Sequence, residues 1–245
     1  MIYDIAGLRV FIANKYAYTT KFCEKYLSQN QEAAADIYAK VTEEEFLEEK
    51  AASSAFSDGY IENICLYRSL CRQLPLYNRM LLHAAILEYD GKAYAFLGRS
   101  GTGKSTHTGL WLKHLPNCKI VNGDKPILEY TKDGFIAYGT PWMGKEGLGE
   151  NISAQLCGLC FLEQAKENSI ERLAPAQVSQ RLFTQILLPE DEEQVVSTLE
   201  LADKLVTQVP SFLLKCTISE EAVQKSFEML TNTTYMNVKR NDNEN

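Results

Sequence analysis

Residues 96–112, "FLGRSGTGKSTHTGLWL", decide the fold, because Gly98 to Ser105 within them match the phosphate-loop pattern G-x-x-x-x-G-K-S/T. In that pattern the glycines let the backbone turn its N–H groups inward, so Gly98, Arg99, Ser100, Gly101, Thr102 and Gly103 are expected to cradle a phosphate, with Thr106 closing the set. Lys104 would reach the terminal phosphates as a point charge, and the Ser105 hydroxyl would ligate Mg²⁺. The flanks agree: "KAYAFL" predicts a strand running into the glycines and "KSTHTGLWLKHL" a helix leaving them. A glycine-rich turn without a ligand is the competing reading.

Upstream, "LLHAAILEYDGKAYAFLG" is two β-prone runs around Asp90-Gly91, which favours a two-residue type I′ hairpin. Counting outward, Tyr89 faces Lys92, Leu87 faces Tyr94 and Ala85 faces Phe96, so His83 falls opposite Gly98. His83 is therefore either a satisfied strand histidine or a proton shuttle and phosphate contact. Downstream, "CKIVNGD" ends in Asp124, the candidate for the acid that follows a buried strand in many phosphate-loop proteins, with a turn aspartate before Pro126 as the alternative. A second hairpin is predicted at Asp133-Gly134, with Lys132 opposite Phe135 and Leu128 opposite Gly139. Its ladder brings Asp124 to the end of the sheet that holds Pro141 to Met143.

The connection "TPWMGKEGLGEN" is thus expected at the acceptor side, with Trp142 and Lys145 lining it and Lys145 offering charge to a phosphate or acidic substrate. An irregular connection with one buried tryptophan is the plainer reading. Arg172 and Arg181 are candidates for transition-state charge or ordinary surface residues. His107 could reach the nucleotide rim, His114 suits a helix C-terminal cation, and Trp111 reads as packing.

The 245 residues carry 45% hydrophobic and 23% charged residues and a net charge of −7, a composition that gives no electrostatic case for nucleic acid or an anionic membrane. No apolar run approaches the roughly 20 residues of a membrane span, and "MIYDIAGLRV" lacks the basic and apolar regions of a secretory signal, so a cytoplasmic protein is expected. Seven scattered cysteines read as reduced; only Cys157 and Cys160 form a CxxC pair, which falls in a predicted strand, "AQLCGLCFLEQ", and points away from metal or redox duty. The shorter "SIERL" beyond "AKEN" suits an antiparallel neighbour of that strand. Thr42 and Glu45 spell a capping box, and helices are expected over Tyr60 to Leu74, from Ala174, from Asp191 with Val195, Leu199, Ala202 and Val206 on one face, and from Ser219 with Val223, Phe227 and Leu230 buried. These elements divide into an N-terminal α+β lobe over 1–79, a nucleotide-binding domain over 80–235 and a flexible tail over 236–245.

"HAAILEYDGKAYAFLGRSGTGKSTHT" with "NGDKP" resembles the catalytic domain of HPr kinase/phosphorylase and, beyond it, the nucleotide-binding core of phosphoenolpyruvate carboxykinase. The run through "YGTPWMGKEG" and "CFLEQAKENSIERL" is similar to the small HPr-kinase-like proteins described as serine kinases, over roughly Leu81 to Pro175. The resemblance implies an α/β class with a mixed sheet, the carboxykinase/HPr kinase-like P-loop fold, and a homo-oligomer that no sequence feature specifies. His83 matches the family's histidine near the transferred phosphate, and Lys104 and Ser105 match its loop. Thr106 stands where HPr kinase has Glu, as in the carboxykinase loop. Where the family carries an Asp pair, only Asp124 is present, beside Lys125, so one carboxylate must serve as metal ligand or as base. The implied activity is a Mg²⁺-nucleotide-dependent phosphotransferase with ATP, Mg²⁺ and a hydroxyl acceptor such as serine, in which Lys104, Asp124 and His83 are catalytic and Ser105 and Asp124 hold the metal. The alternatives are an ATP-binding regulatory or accessory module without turnover and a phosphorolytic or hydrolytic dephosphorylating enzyme.

Overall fold

The computed structural model describes residues 1–241. Strands β1 (Ile2–Ile5) and β2 (Leu8–Ile12) pair antiparallel through Ala6 and Gly7, both at positive φ, and β3 (Ile37–Ala39) adds parallel to β2. Three helices follow or interleave: α1 (Ala17–Phe22), α2 (Glu43–Ala52) and α3 (Asp58–Gln73). The Thr42–Glu45 capping box starts α2, with each side chain bonded to the other's backbone N–H. Helix α3, expected over Tyr60 to Leu74, ends at Gln73 and gives way to a single 3₁₀ turn over Leu74–Tyr77 with Pro75 near its start.

The larger sheet is mixed. In chain order it contains β4 (Arg79–Leu81), β5 (Ala84–Tyr89), β6 (Lys92–Leu97), then helix α4 (Lys104–His114), β7 (Lys119–Asn122), β8 (Ile127–Thr131), β9 (Gly134–Tyr138), β10 (Ser153–Gln164) and β11 (Ser169–Arg172). Helices α5 (Pro175–Leu182) and α6 (Glu192–Gln208), strand β12 (Ser211–Cys216) and helices α7 (Glu220–Thr231) and α8 (Tyr235–Asn241) complete it. The spatial order is β4-β8-β9-β10-β6-β5-β7, with β12 beside β10 and β11 beside β12. β6, the strand that feeds the phosphate loop, lies antiparallel to β5 and parallel to β10.

Alternation along these strands builds two cores on opposite faces. Ala93, Ala95 and Leu97 of β6, with Leu159 and Phe161 of β10, pack under α5 and α6. Tyr94 and Phe96, with Cys160 and Leu162, pack under α4 and α7 around Trp111. A third core joins β1–β3 and α3 to Leu81, Ile127, Trp142 and Met143. The Cys160 thiol belongs to the second of these, and burial pushes its pKa up. No helix among the described residues is long and apolar enough to cross a membrane.

The first hairpin has the predicted register, with Asp90 and Gly91 at φ 52° and 73°. The second does not. Thr131 pairs with Gly134, Tyr130 with Phe135 and Leu128 with Ala137, so Lys132 and Asp133 make the turn and Gly134, at φ 104°, follows as the left-handed residue. The Thr131 hydroxyl, which donates to the Gly134 carbonyl and accepts from the Asp133 N–H, holds that register. Likewise "SIERL" is not a neighbour of the strand before it: β12 lies between, parallel to β10 and antiparallel to β11. The buried face of α6 is Thr198, Leu201, Leu205 and Val206, rotated from the expected one, and Leu199 is exposed. Finally, 235–241 form α8 in place of the first part of the expected tail, and 242–245 lie outside the described residues.

Candidate functional site

β6 ends at Leu97 and the chain turns at once through Gly98. A Cβ at Gly98 would collide with the Thr102 hydroxyl at 2.6 Å, and φ there is 155°, so only glycine fits. Thr102 donates from both its hydroxyl and its N–H to the Arg99 carbonyl, at 2.8 and 3.1 Å, and Gln164 at the end of β10 donates to the Gly101 carbonyl at 3.0 Å. Gly101 and Gly103 are left-handed with open space beside them, and Gly103 caps the start of α4. Arg99, Ser100 and Thr106 are exposed. The result is a glycine-rich turn that leads straight into the N-terminus of α4, the end of a helix that favours an anion.

Lys104 is buried, and its ammonium curls back to donate to the Gly98 carbonyl at 2.8 Å, with His83 Nε2 at 3.3 Å. Burial lowers the Lys104 pKa, and Asp124 offsets part of that effect while Lys125 adds to it. His83 precedes β5, where its N–H donates to the Gln185 carbonyl at 2.7 Å. Its Nε2 also lies 3.1 Å from Asp124 Oδ1. Burial would raise the Asp124 pKa, but the His83 hydrogen bond and the charges of Lys125, His83 and Lys104 outweigh it and hold the carboxyl below its ordinary value.

Asp124 is set by a clamp. Asn122, the fully buried last residue of β7, accepts the N–H groups of Asp124 and Lys125 on one oxygen, at 2.8 and 2.7 Å. Its amide donates to the Thr140 carbonyl and hydroxyl, both at 3.0 Å, and the Thr140 hydroxyl donates to the Lys125 carbonyl at 2.8 Å. This closes the turn around the carboxylate. Residues 139–150 then form a wall: Gly139 backs onto the Glu150 carbonyl with no room for a side chain, and a Cβ on Gly144 would meet the Asp124 Cβ at 3.0 Å. Facing the cradle from this wall, Glu146 accepts the Ser105 hydroxyl at 3.0 Å.

The loop, His83 and Asp124 therefore come together as expected. Trp142 and Lys145 part company: Lys145 is exposed, whereas Trp142 is buried, donates to Asn63 Oδ1 at 3.0 Å and packs on Tyr67, which makes it the anchor of the wall on α3. His107 does not reach the nucleotide rim. It is sealed behind α4, where its Nε2 accepts from Trp111 at 3.2 Å and meets the Ser226 hydroxyl at 3.0 Å, and burial lowers its pKa to about 4. His114, the last residue of α4, lies 3.8 Å from Glu220. Arg181 is paired with Glu163 at 2.7 Å, and Arg172 is exposed on β11. Sequence reasoning missed Asn122, Thr140 and Glu146. An Asn two residues before Asp124 is a turn signal that could have found the first.

A model of the family described as "ScmC: SynChlorMet cassette protein ScmC" matches residues 60–228, more than half of the chain. The chain belongs to this family. The matched segment runs from α3 into α7, so it holds the cradle, His83, Asp124 and Glu146 and leaves out the three-stranded sheet. No curated protein matches the chain.

Proposed function

We propose that the protein is a Mg²⁺-nucleotide-dependent phosphotransferase acting on a hydroxyl acceptor such as serine, with the HPr kinase/carboxykinase-like P-loop fold that its sequence resembles. One observation carries the reading: Lys104, His83 and Asp124 converge within 3.3 Å contacts at the mouth of a glycine-built phosphate cradle. Bound Mg²⁺–ATP would supply the phosphoryl group and a counter-charge for it. The cradle N–H groups and Lys104 hold its negative oxygens, at little reorganisation cost because Gly98 and Thr102 already fix the turn.

Asp124, kept ionised by its neighbours, accepts the acceptor's hydroxyl proton as that oxygen bonds to phosphorus and the nucleoside diphosphate leaves. His83 sets where the proton rests. Its Nε2 either donates to Asp124 or accepts from Lys104, and one nitrogen cannot do both at once. A nucleotide-binding module without turnover is the second reading, favoured by the lone aspartate of "NGD". Incubating full-length protein with labelled ATP, using water and free serine as acceptors, separates the two. Turnover should fall by about 10²–10⁴-fold in Asp124→Asn with ATP binding retained; equal turnover in the variant contradicts the proposal, and binding without any turnover in the wild type selects the module.

A further inference from the structure

We propose that Glu146 is the second carboxylate of the site, a positioning residue that readies Ser105 for the divalent cation and so leaves Asp124 to proton transfer. The inference rests on the phosphotransferase reading. Its basis is the 3.0 Å bond from the Ser105 hydroxyl to Glu146 Oε2. A serine hydroxyl has one proton and two lone pairs, so a hydroxyl that ligates a cation must place its proton elsewhere. Glu146 accepts the hydrogen bond from that proton and so commits the rotor, and the lone pairs are left for the metal. Asp124, by contrast, is turned to His83 at 3.1 Å and stands near two lysines. The two carboxylates thus face different partners.

Holding the wall in place does not require the Glu146 side chain. The backbone of 144–150 is pinned by the Gly123 N–H to the Leu148 carbonyl at 2.9 Å, by Gly147 to Gly144 and by Glu150 to Val121, both at 3.3 Å. The Ser105 bond itself is exposed. Two glycines at positive φ, Gly144 and Gly147, bracket Lys145 and Glu146 and bring the loop tip to Ser105. The rival role on the same geometry is that the carboxylate occupies the positive end of α4 and competes with phosphate. The two roles have opposite signatures.

The test titrates ATP into full-length wild type, Glu146→Gln and Glu146→Asp across a Mg²⁺ series and in EDTA. Loss of an outer-shell partner typically weakens metal affinity by about 10–100-fold, so Glu146→Gln should raise the Mg²⁺ needed for half-maximal tightening of ATP by that factor, with binding in EDTA unchanged and Glu146→Asp largely restoring the requirement. An unchanged Mg²⁺ requirement in Glu146→Gln overturns the inference, and so does tighter ATP binding in EDTA, which would show competition with phosphate. A wild type that binds no ATP at any Mg²⁺ overturns the phosphotransferase reading itself, and the wild-type arm distinguishes that failure from the others.

Discussion

The cradle and the wall that faces it are made in opposite ways. Residues 98–105 are contiguous, exposed at Arg99, Ser100 and Gly101, and shaped mainly by short-range bonds such as Thr102 to Arg99 and Lys104 to Gly98, with Gln164 bracing Gly101. The wall is assembled over distance: Asn122 bonds to Thr140, Gly123 to Leu148, Trp142 to Asn63 and Glu146 to Ser105. A short-range device is specified by residue types at fixed spacing, whereas a long-range one depends on strand register and on which elements become neighbours. The difference predicts where the site is fragile.

The largest effect should come from behind the cradle. His107 is held neutral, with a folded pKa of about 4 against an ordinary 6.5, so between those values the unfolded chain binds the extra proton. Stability is therefore fully present above about pH 6.5, falls as pH drops through the window and levels off below about pH 4, for a total near 3 kcal/mol. Urea unfolding across this range checks it, and His107→Gln should flatten the slope.

On the wall, Asn122→Ala leaves the N–H groups of Asp124 and Lys125 and the Thr140 carbonyl without their partner, at a cost of about 2 kcal/mol, and frees Asp124 to move. On the cradle, Thr102→Ala removes one exposed hydroxyl bond and should cost only about 0.5 kcal/mol. Equal losses in the two variants by urea denaturation would erase the contrast; a larger gap would sharpen it.

The same contrast sets what was legible. The strand, loop and helix around Gly98 and the register that brings His83 to Lys104 follow from Asp90-Gly91 and the glycine spacing, and both are local. The second Asp-Gly pair misled, because Thr131 competes for the turn and moves it one residue back. The position of β12 between β10 and β11 had no local signal, since a helical excursion of two elements separates the partners. Trp142 and Glu146 share one loop, and only α3 on one side and α4 on the other decide that the first packs inward and the second meets Ser105. The ladder of the second hairpin, even counted in a shifted register, placed that loop at the Asp124 end of the sheet without telling its faces apart.

The central claim is that the loop is a working phosphate cradle. Calorimetric titration of ATP and ADP, with and without Mg²⁺, into wild type and Lys104→Ala tests it most directly: the wild type should bind and the variant should lose that binding, because the ammonium over Gly98 is the cradle's fixed charge. Equal binding by both proteins, or none by the wild type, would contradict it.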